Sequence, residues 1–473
     1  MRAETMTLAP QPFAQNPPKP VVAARTKLLL EGPLLATLLR LSAPNVLNLL
    51  AIAGMITFDG LFLGRLGADA LAGVSLAFPF VMLMQHTAAS GMGGGVSSAV
   101  ARALGAAKRD LADALVFHTF VLALAIAAAF SAVLLLAAPI LFRAMGGQGA
   151  VLSAAMDYAN VAFWSAISIC MLNLLGSAVR GTGNMALPAG VIVGSVVGHI
   201  VVSPVLIFGW GPIPGLGPAG AGWGLMLSFA AGSLVLFTYL RSSRSLVHLR
   251  FSGARLEWPL FADILKVGVP GLINVVITNL SVVVLTGIAG QLGKKAALGY
   301  ALGARLEYIL IPLAFGFGTA IVAMVGTNWG ARQYQRAHRA AWIGAMTVAV
   351  TCAAIGTLFA LFPTLWLHLF TNDEDTIQLG TSYLRVVGPI YGLYGLGMGL
   401  YFASQGLGNA MWTVAANAIR LVISSGCAVI AICWLHFGAI GLFISIAAGF
   451  CAYAILTLIA VGGVKTSSVG RRA

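Results

Sequence analysis

A chain of 473 residues of which 59% are hydrophobic and only 8% charged lies outside the range of soluble domains, where about a quarter of residues carry charge. Its mean hydropathy of +0.94 marks an all-α polytopic membrane protein. The net charge of +14 does not point to nucleic acid, because the basic residues fall between apolar runs and no nucleic-acid motif accompanies them.

Residues 1–39, rich in proline and glutamine near their start, contain no signal-peptide h-region and are expected to form a disordered cytoplasmic tail and lead-in. Twelve apolar runs long enough to cross a bilayer follow, at about 41–64, 70–98, 112–142, 151–179, 185–209, 218–240, 267–291, 296–326, 336–367, 376–404, 410–434 and 438–462. Their length makes them helices rather than barrel strands. With the amino terminus inside, the cytoplasmic connections carry 20 lysines and arginines and the opposite ones 4. The positive-inside rule therefore puts both termini in the cytoplasm, and the membrane is expected to be the plasma (inner) membrane. A serine-rich connection, 241–266, separates an amino-terminal lobe (40–240) from a carboxy-terminal one (267–462), and 463–473 reads as a second tail.

The two sets of six runs repeat one another. RLSAP at 40–44 matches KVGVP at 266–270, ALGAAKR at 103–109 matches NWGARQY at 328–334, and RGTGN at 180–184 matches QGLGN at 405–409. The offset stays at 225 to 226 residues, so the halves share one orientation and form a parallel repeat. Such lobes, related by a pseudo-two-fold axis along the membrane normal, suit alternating access at a site near the midplane.

The first run carries one carboxylate, Asp59, in an otherwise uncharged stretch from Leu41 to Gly64. An acid at membrane depth is a functional candidate by default, although pairing with Arg65 would be the plainer role. The fifth run offers His199 and Ser203 on one helical face, and histidine is the side chain whose charge can change near neutrality. In the eighth run Arg305 and Glu307 stand two residues apart and point differently. Glu307 is a second candidate for proton or cation binding, and Arg305 a clamp or cavity residue. Arg385 and Arg420 suit a gate or a binding site, and Gln85 and His86 lie mid-span before the glycine run GMGGGVSS. That run lacks the GK[ST] ending and preceding strand of a phosphate loop. With no nucleophile, zinc or paired-carboxylate motif, the chain reads as no enzyme. The five cysteines, all in apolar runs, read as small buried residues.

The segments TFDGLFLGRLGADALAG, GMGGGVSSAVARALGAAKRDLADA, AVRGTGN and VGTNWGA resemble those of the multidrug and toxic compound extrusion (MATE) family, particularly its DinF-like branch. The resemblance implies two six-helix lobes around a V-shaped cavity and export of cationic or amphipathic small molecules in exchange for protons or sodium ions. No cofactor beyond the ion gradient is implied, and the partners expected are these substrates and membrane lipids, around a monomer. Asp59 matches the family's first-helix acid. Where relatives carry Asn-x-x-x-Asp-Pro, this chain has His199-Ile-Val-Val-Ser203-Pro204, which replaces oxygen ligands by an imidazole and a hydroxyl and favours protons over sodium. The resemblance also brings the first and fifth helices together. The acids of the seventh and tenth helices found in the NorM-like branch are missing. A flippase for a lipid-linked precursor is the alternative, resting on Arg305, Arg385 and Arg420 as a cationic cavity.

Overall fold

The computed structural model describes residues 20–462; the tails expected at 1–19 and 463–473 lie outside the described residues. Among the described residues, eleven helices are long and apolar enough to cross a membrane. A twelfth span is the pair Gly149–Ala162 and Ala166–Gly181, bent by 46°. The expected spans are therefore present, and most begin a few residues earlier or end later than hydropathy alone suggests. The first runs over Leu34–Leu66 and the seventh starts at Trp258, inside the expected connection. A two-stranded turn pairs Gly209 with Pro214 and Trp210 with Ile213 between the fifth and sixth spans.

The lead-in is not disordered throughout. Residues Pro20–Glu31 form a helix because an apolar face ending in Leu29 has somewhere to go: Leu29, Leu38 and Leu41 join the buried cluster of the carboxy-terminal half. Asn328 donates to the Leu29 carbonyl at 3.0 Å, and Arg336 donates to that of Gly32, satisfying carbonyls at the helix end. The first span thus begins on the carboxy-terminal half. Asn45 donates to Thr319 Oγ1 at 2.8 Å and to the Gly316 carbonyl at 3.2 Å. The span then leans onto the amino-terminal half, whose own cluster takes in Met55 and Leu63.

Helix breaks fall at repeat-related places. The fourth span breaks at 163–165 and the tenth at the 3-10 turn Gly388–Ile390, 225 residues later. No proline marks the first of these. Hydroxyls take over the freed carbonyls instead, Ser131 donating to Phe163 at 2.8 Å and Ser165 to Ala162 at 2.5 Å. The second span contains a π-helical turn at Thr87–Met92, and the eighth breaks between Lys294–Ala304 and Glu307–Gly330.

The halves meet on the side of the molecule that carries the long connection. There Gly105 lies against the Thr327 carbonyl and Gly330 against that of Arg102, an exchange that again obeys the 225-residue offset. A Cβ at either glycine would collide with backbone, so only glycine permits this crossing. Arg102 also reaches Asp263 of the seventh span at 2.7 Å, and Ser98 donates to the Gln405 carbonyl. The long connection is docked rather than loose: Val247 and Leu249 are buried in the amino-terminal cluster. Cysteine placement corrects the reading of all five as buried. Cys170 and Cys352 are, whereas Cys427 and Cys433 are exposed and Cys451 is half-buried, as suits small apolar side chains facing lipid.

Candidate functional site

Asp59 sits two turns from the far end of the first span, and the fifth span (Ala186–Phe208) lays His199 beside it. His199 Nε2 lies 2.7 Å from Asp59 Oδ1, with the histidine side chain 1% and the aspartate 22% exposed. The buried Nδ1 has no hydrogen-bond partner. An imidazolium would leave its Nδ1–H orphaned, so the geometry suits the neutral tautomer in which Nε2–H donates to the carboxylate. Arg65 forms no ion pair with Asp59. Ser203, one turn beyond His199, is fully buried, packs against Gly224 of the sixth span, and its Oγ also lacks a partner. Tyr158 of the fourth span is buried in the cluster of the same half. One acid, one imidazole, one hydroxyl and one phenol thus share the interior of the amino-terminal half.

The carboxy-terminal half contains a different polar centre. Glu307 starts the second segment of the eighth span, and its Oε1 accepts from Tyr383 OH at 2.6 Å and from Tyr391 OH at 3.4 Å. Tyr383 stands 225 residues after Tyr158 and is thus its repeat equivalent, although the acids of the two halves come from non-equivalent spans. Arg420, 4% exposed, donates through Nε to Asn417 Oδ1 at 2.7 Å and through a terminal nitrogen to Ser281 Oγ at 3.0 Å. Its guanidinium lies over the rings of Tyr394 and Phe450. Arg420 is therefore an interior residue of this half.

The other arginines and the mid-span pair stand apart. Arg305, exposed, stacks over Phe370 at 4.9 Å and does not pair with Glu307. Arg385 is exposed on the tenth span, His86 is exposed, and Gln85 is half-buried with an unpartnered Nε2. A small cleft with room for about one or two waters lies between the halves, and none of Gln85, His86, Arg305, Arg385 or Arg420 lines it. It is lined instead by residues such as Arg180, Thr319, Phe402 and Gln405. Sequence reasoning passed over these, although Arg180 and Gln405 open the repeated motifs RGTGN and QGLGN.

The MatE family model matches residues 44–205 and 270–430, one copy in each half. Among curated relatives, the FAD transporter of Shewanella oneidensis is 26% identical, over 84% of this chain and 87% of its own length. The probable multidrug resistance protein NorM of Thermotoga maritima is also 26% identical, over 79% and 80%. Among solved structures, MATE in the bent conformation superposes with a TM-score of 0.84 at 25% identity, covering 94% of this chain and 99% of that one. With the family model matched in both of its six-span halves, this chain belongs to the MatE family and is a membrane transporter, not an enzyme.

Proposed function

We propose that the protein is a secondary antiporter that exports small amphipathic molecules, organic cations among them, in exchange for protons by alternating access. The observation that carries this reading is the 2.7 Å contact of His199 with Asp59 at membrane depth. A carboxylate held only by an imidazole can lose its charge by taking one proton, and can return it when the cavity opens to the other side. Sodium would want several oxygens together, whereas the side chain in hydrogen-bond contact with Asp59 is an imidazole. Export is supported by relatives named as multidrug resistance proteins.

In this cycle the cleft open on the side away from the long connection admits a proton to the Asp59–His199 pair. The neutralised carboxylate no longer favours an open, hydrated cleft, the amino-terminal half repacks, and the exported molecule leaves. The protonated protein then reopens on the linker side, taken as cytoplasmic from the charge bias, and releases the proton there.

The test is transport of a lipophilic dye cation in proteoliposomes under a proton gradient and, separately, a sodium gradient. Wild type is expected to move dye under the proton gradient alone. Asp59→Asn should abolish coupled movement and His199→Ala should reduce it about 10-fold or more, in the range of a lost proton-transfer partner. Sodium-driven movement, or full proton-driven movement by Asp59→Asn, would overturn the assignment.

A further inference from the structure

Two seams join the halves on the linker side, one where the second span meets the seventh and one where the eighth meets the first. The repeat relates them, yet they are fastened differently. In the first seam Arg102 pairs with Asp263, and its guanidinium lies on Gly408 of the QGLGN loop, where a Cβ would stand 3.0 Å from it. The repeat equivalents of this pair are Thr327 of the eighth span and Thr37 of the first. Both threonines are buried, and neither hydroxyl has a hydrogen-bond partner. Two threonines cannot form an ion pair, so the second seam is closed by something else.

That something is Leu29 of the lead-in helix, Pro20–Glu31. Gly183 of the RGTGN loop is the repeat equivalent of Gly408, and a Cβ on it would stand 2.8 Å from a Leu29 methyl carbon. The two glycines have φ of +80° and +81°, so each loop presents bare backbone to its fastener. Leu29 is 2% exposed. It shares one buried cluster with Met185, which follows RGTGN in the amino-terminal half, and with Val322 and Met324 of the eighth span. A single leucine thus touches both halves.

The two attachments of the helix differ in kind. To the carboxy-terminal half it is hydrogen-bonded: Asn328, fully buried, donates to the Leu29 carbonyl at 3.0 Å, and Arg336 of the ninth span donates to the Gly32 carbonyl. To the amino-terminal half, among the described residues, it makes apolar contact without a hydrogen bond or ion pair. Apolar contact is non-directional and can part without orphaning a polar group, whereas a buried Asn328 amide that lost its acceptor would be left unpaired. The linker, whose Glu257 and Pro259 correspond to Glu31 and Pro33, is committed to the amino-terminal half through Val247 and Leu249. Resting on the alternating-access reading, we propose that the lead-in helix is a latch for the linker side. It travels with the carboxy-terminal half, closes the second seam by seating Leu29 on the RGTGN loop, and leaves that loop when the linker side opens.

The experiment uses the full chain in oriented proteoliposomes, its five native cysteines replaced by alanine and a cysteine placed at Ser97, which lines the small cleft between the halves. A membrane-impermeant thiol reagent is supplied on the linker side. Leu29→Ala is expected to speed labelling at least about fivefold, as losing part of one leucine's burial shifts a two-state balance. Leu29→Met, which keeps most of the apolar contact, should change it by about twofold or less. A lowered thermal midpoint in Leu29→Ala with labelling unchanged would make the leucine a mere anchor and overturn the proposal. A second measurement serves should Leu29→Ala misfold. Cysteines at Leu29 and Met185, with Ser97 retained, are joined by a short bis-methanethiosulfonate and released by dithiothreitol. The bridged protein should stop moving a lipophilic dye cation and resume on reduction. Undiminished movement with the bridge in place would overturn the proposal, since the helix would then stay on both halves throughout the cycle. Labelling at Ser97 asks nothing of the driving ion or the exported molecule, so absence of dye movement in the unbridged protein would count against the exporter reading and leave the latch to be decided by labelling.

Discussion

At the scale of single residues, Arg180 and Arg420 are buried within spans, and the acids Asp59 and Glu307 are half-buried within theirs. Arg420 differs from Arg180 in having its donors engaged by Asn417 and Ser281 and in lying over the ring of Tyr394, one turn from the Tyr391 that donates to Glu307. Removing one member of such a buried set leaves the other charge uncompensated, at a cost of about 3–5 kcal/mol, whereas removing both with volume conserved costs far less. Arg420→Met and Glu307→Gln should therefore each lower the thermal midpoint of the purified protein, and the double variant should lose less than the two together, with a coupling of about 1–3 kcal/mol. Strict additivity would mean that the two charges do not sense one another. Half of this scale was legible beforehand. The family resemblance brings the first and fifth helices together, which allows Asp59 and His199 to pair without fixing that they touch. The tyrosines on Glu307 come from 76 and 84 residues further along the chain, and no local pattern ties a tyrosine to a distant carboxylate.

At the scale of elements, the apolar runs declared the spans, while the breaks and docked segments depended on tertiary partners that hydropathy does not register. The connection after the sixth span is the clearest case. Its serines suggest a free linker, yet Asp113 accepts from the His248 backbone N–H at 2.7 Å and Arg109 donates to the Leu246 carbonyl at 3.0 Å. The Glu257 N–H donates to His118 Nε2 at 2.9 Å, which leaves His118 Nδ1 to carry the proton toward the Ala114 carbonyl at 2.8 Å. Burial pushes the His248 side chain below its ordinary pKa of 6.5; nearby Arg109 and Arg250 add to that, and Asp113 opposes it. A histidine held neutral when docked and free to protonate when released binds more protons in the released state. Docking is thus fully favourable above about pH 6.5 and weakens as pH falls from there toward the lowered docked value. Tryptic cleavage at Arg250 and Arg255 should accelerate between pH 7.5 and 5.5, after correction for the protease's own pH dependence. His248→Gln should flatten that response. An equal response in wild type and variant would show that His248 does not govern docking.

At the scale of the molecule, the hydrogen bonds and ion pair that tie the two halves together lie toward the linker side, and the repeat accounts for why this closure is nearly symmetric. Gly105 and Gly330 cross there as repeat equivalents, each against the other helix's backbone. The parallel repeat, and with it the division into two six-span halves, was readable from matched segments such as RGTGN and QGLGN. The side on which the halves close was not, because it depends on contacts such as Arg102–Asp263 that join spans two and seven and leave no trace in either segment alone. That ion pair has one half-exposed partner, so it contributes at most about 1 kcal/mol to the closed state, and its loss should shift the balance between closed and open linker sides by about fivefold. Asp263→Asn should therefore raise the rate at which a membrane-impermeant thiol reagent on the linker side labels a cysteine placed at Ser97, in a background whose five native cysteines are replaced by alanine. The same substitution should leave labelling from the opposite side unchanged or slower, since opening one side in an alternating-access cycle closes the other. Faster labelling from both sides together would indicate loosening of the whole interface, and the ion pair would then be a general fastener rather than a determinant of which side is closed.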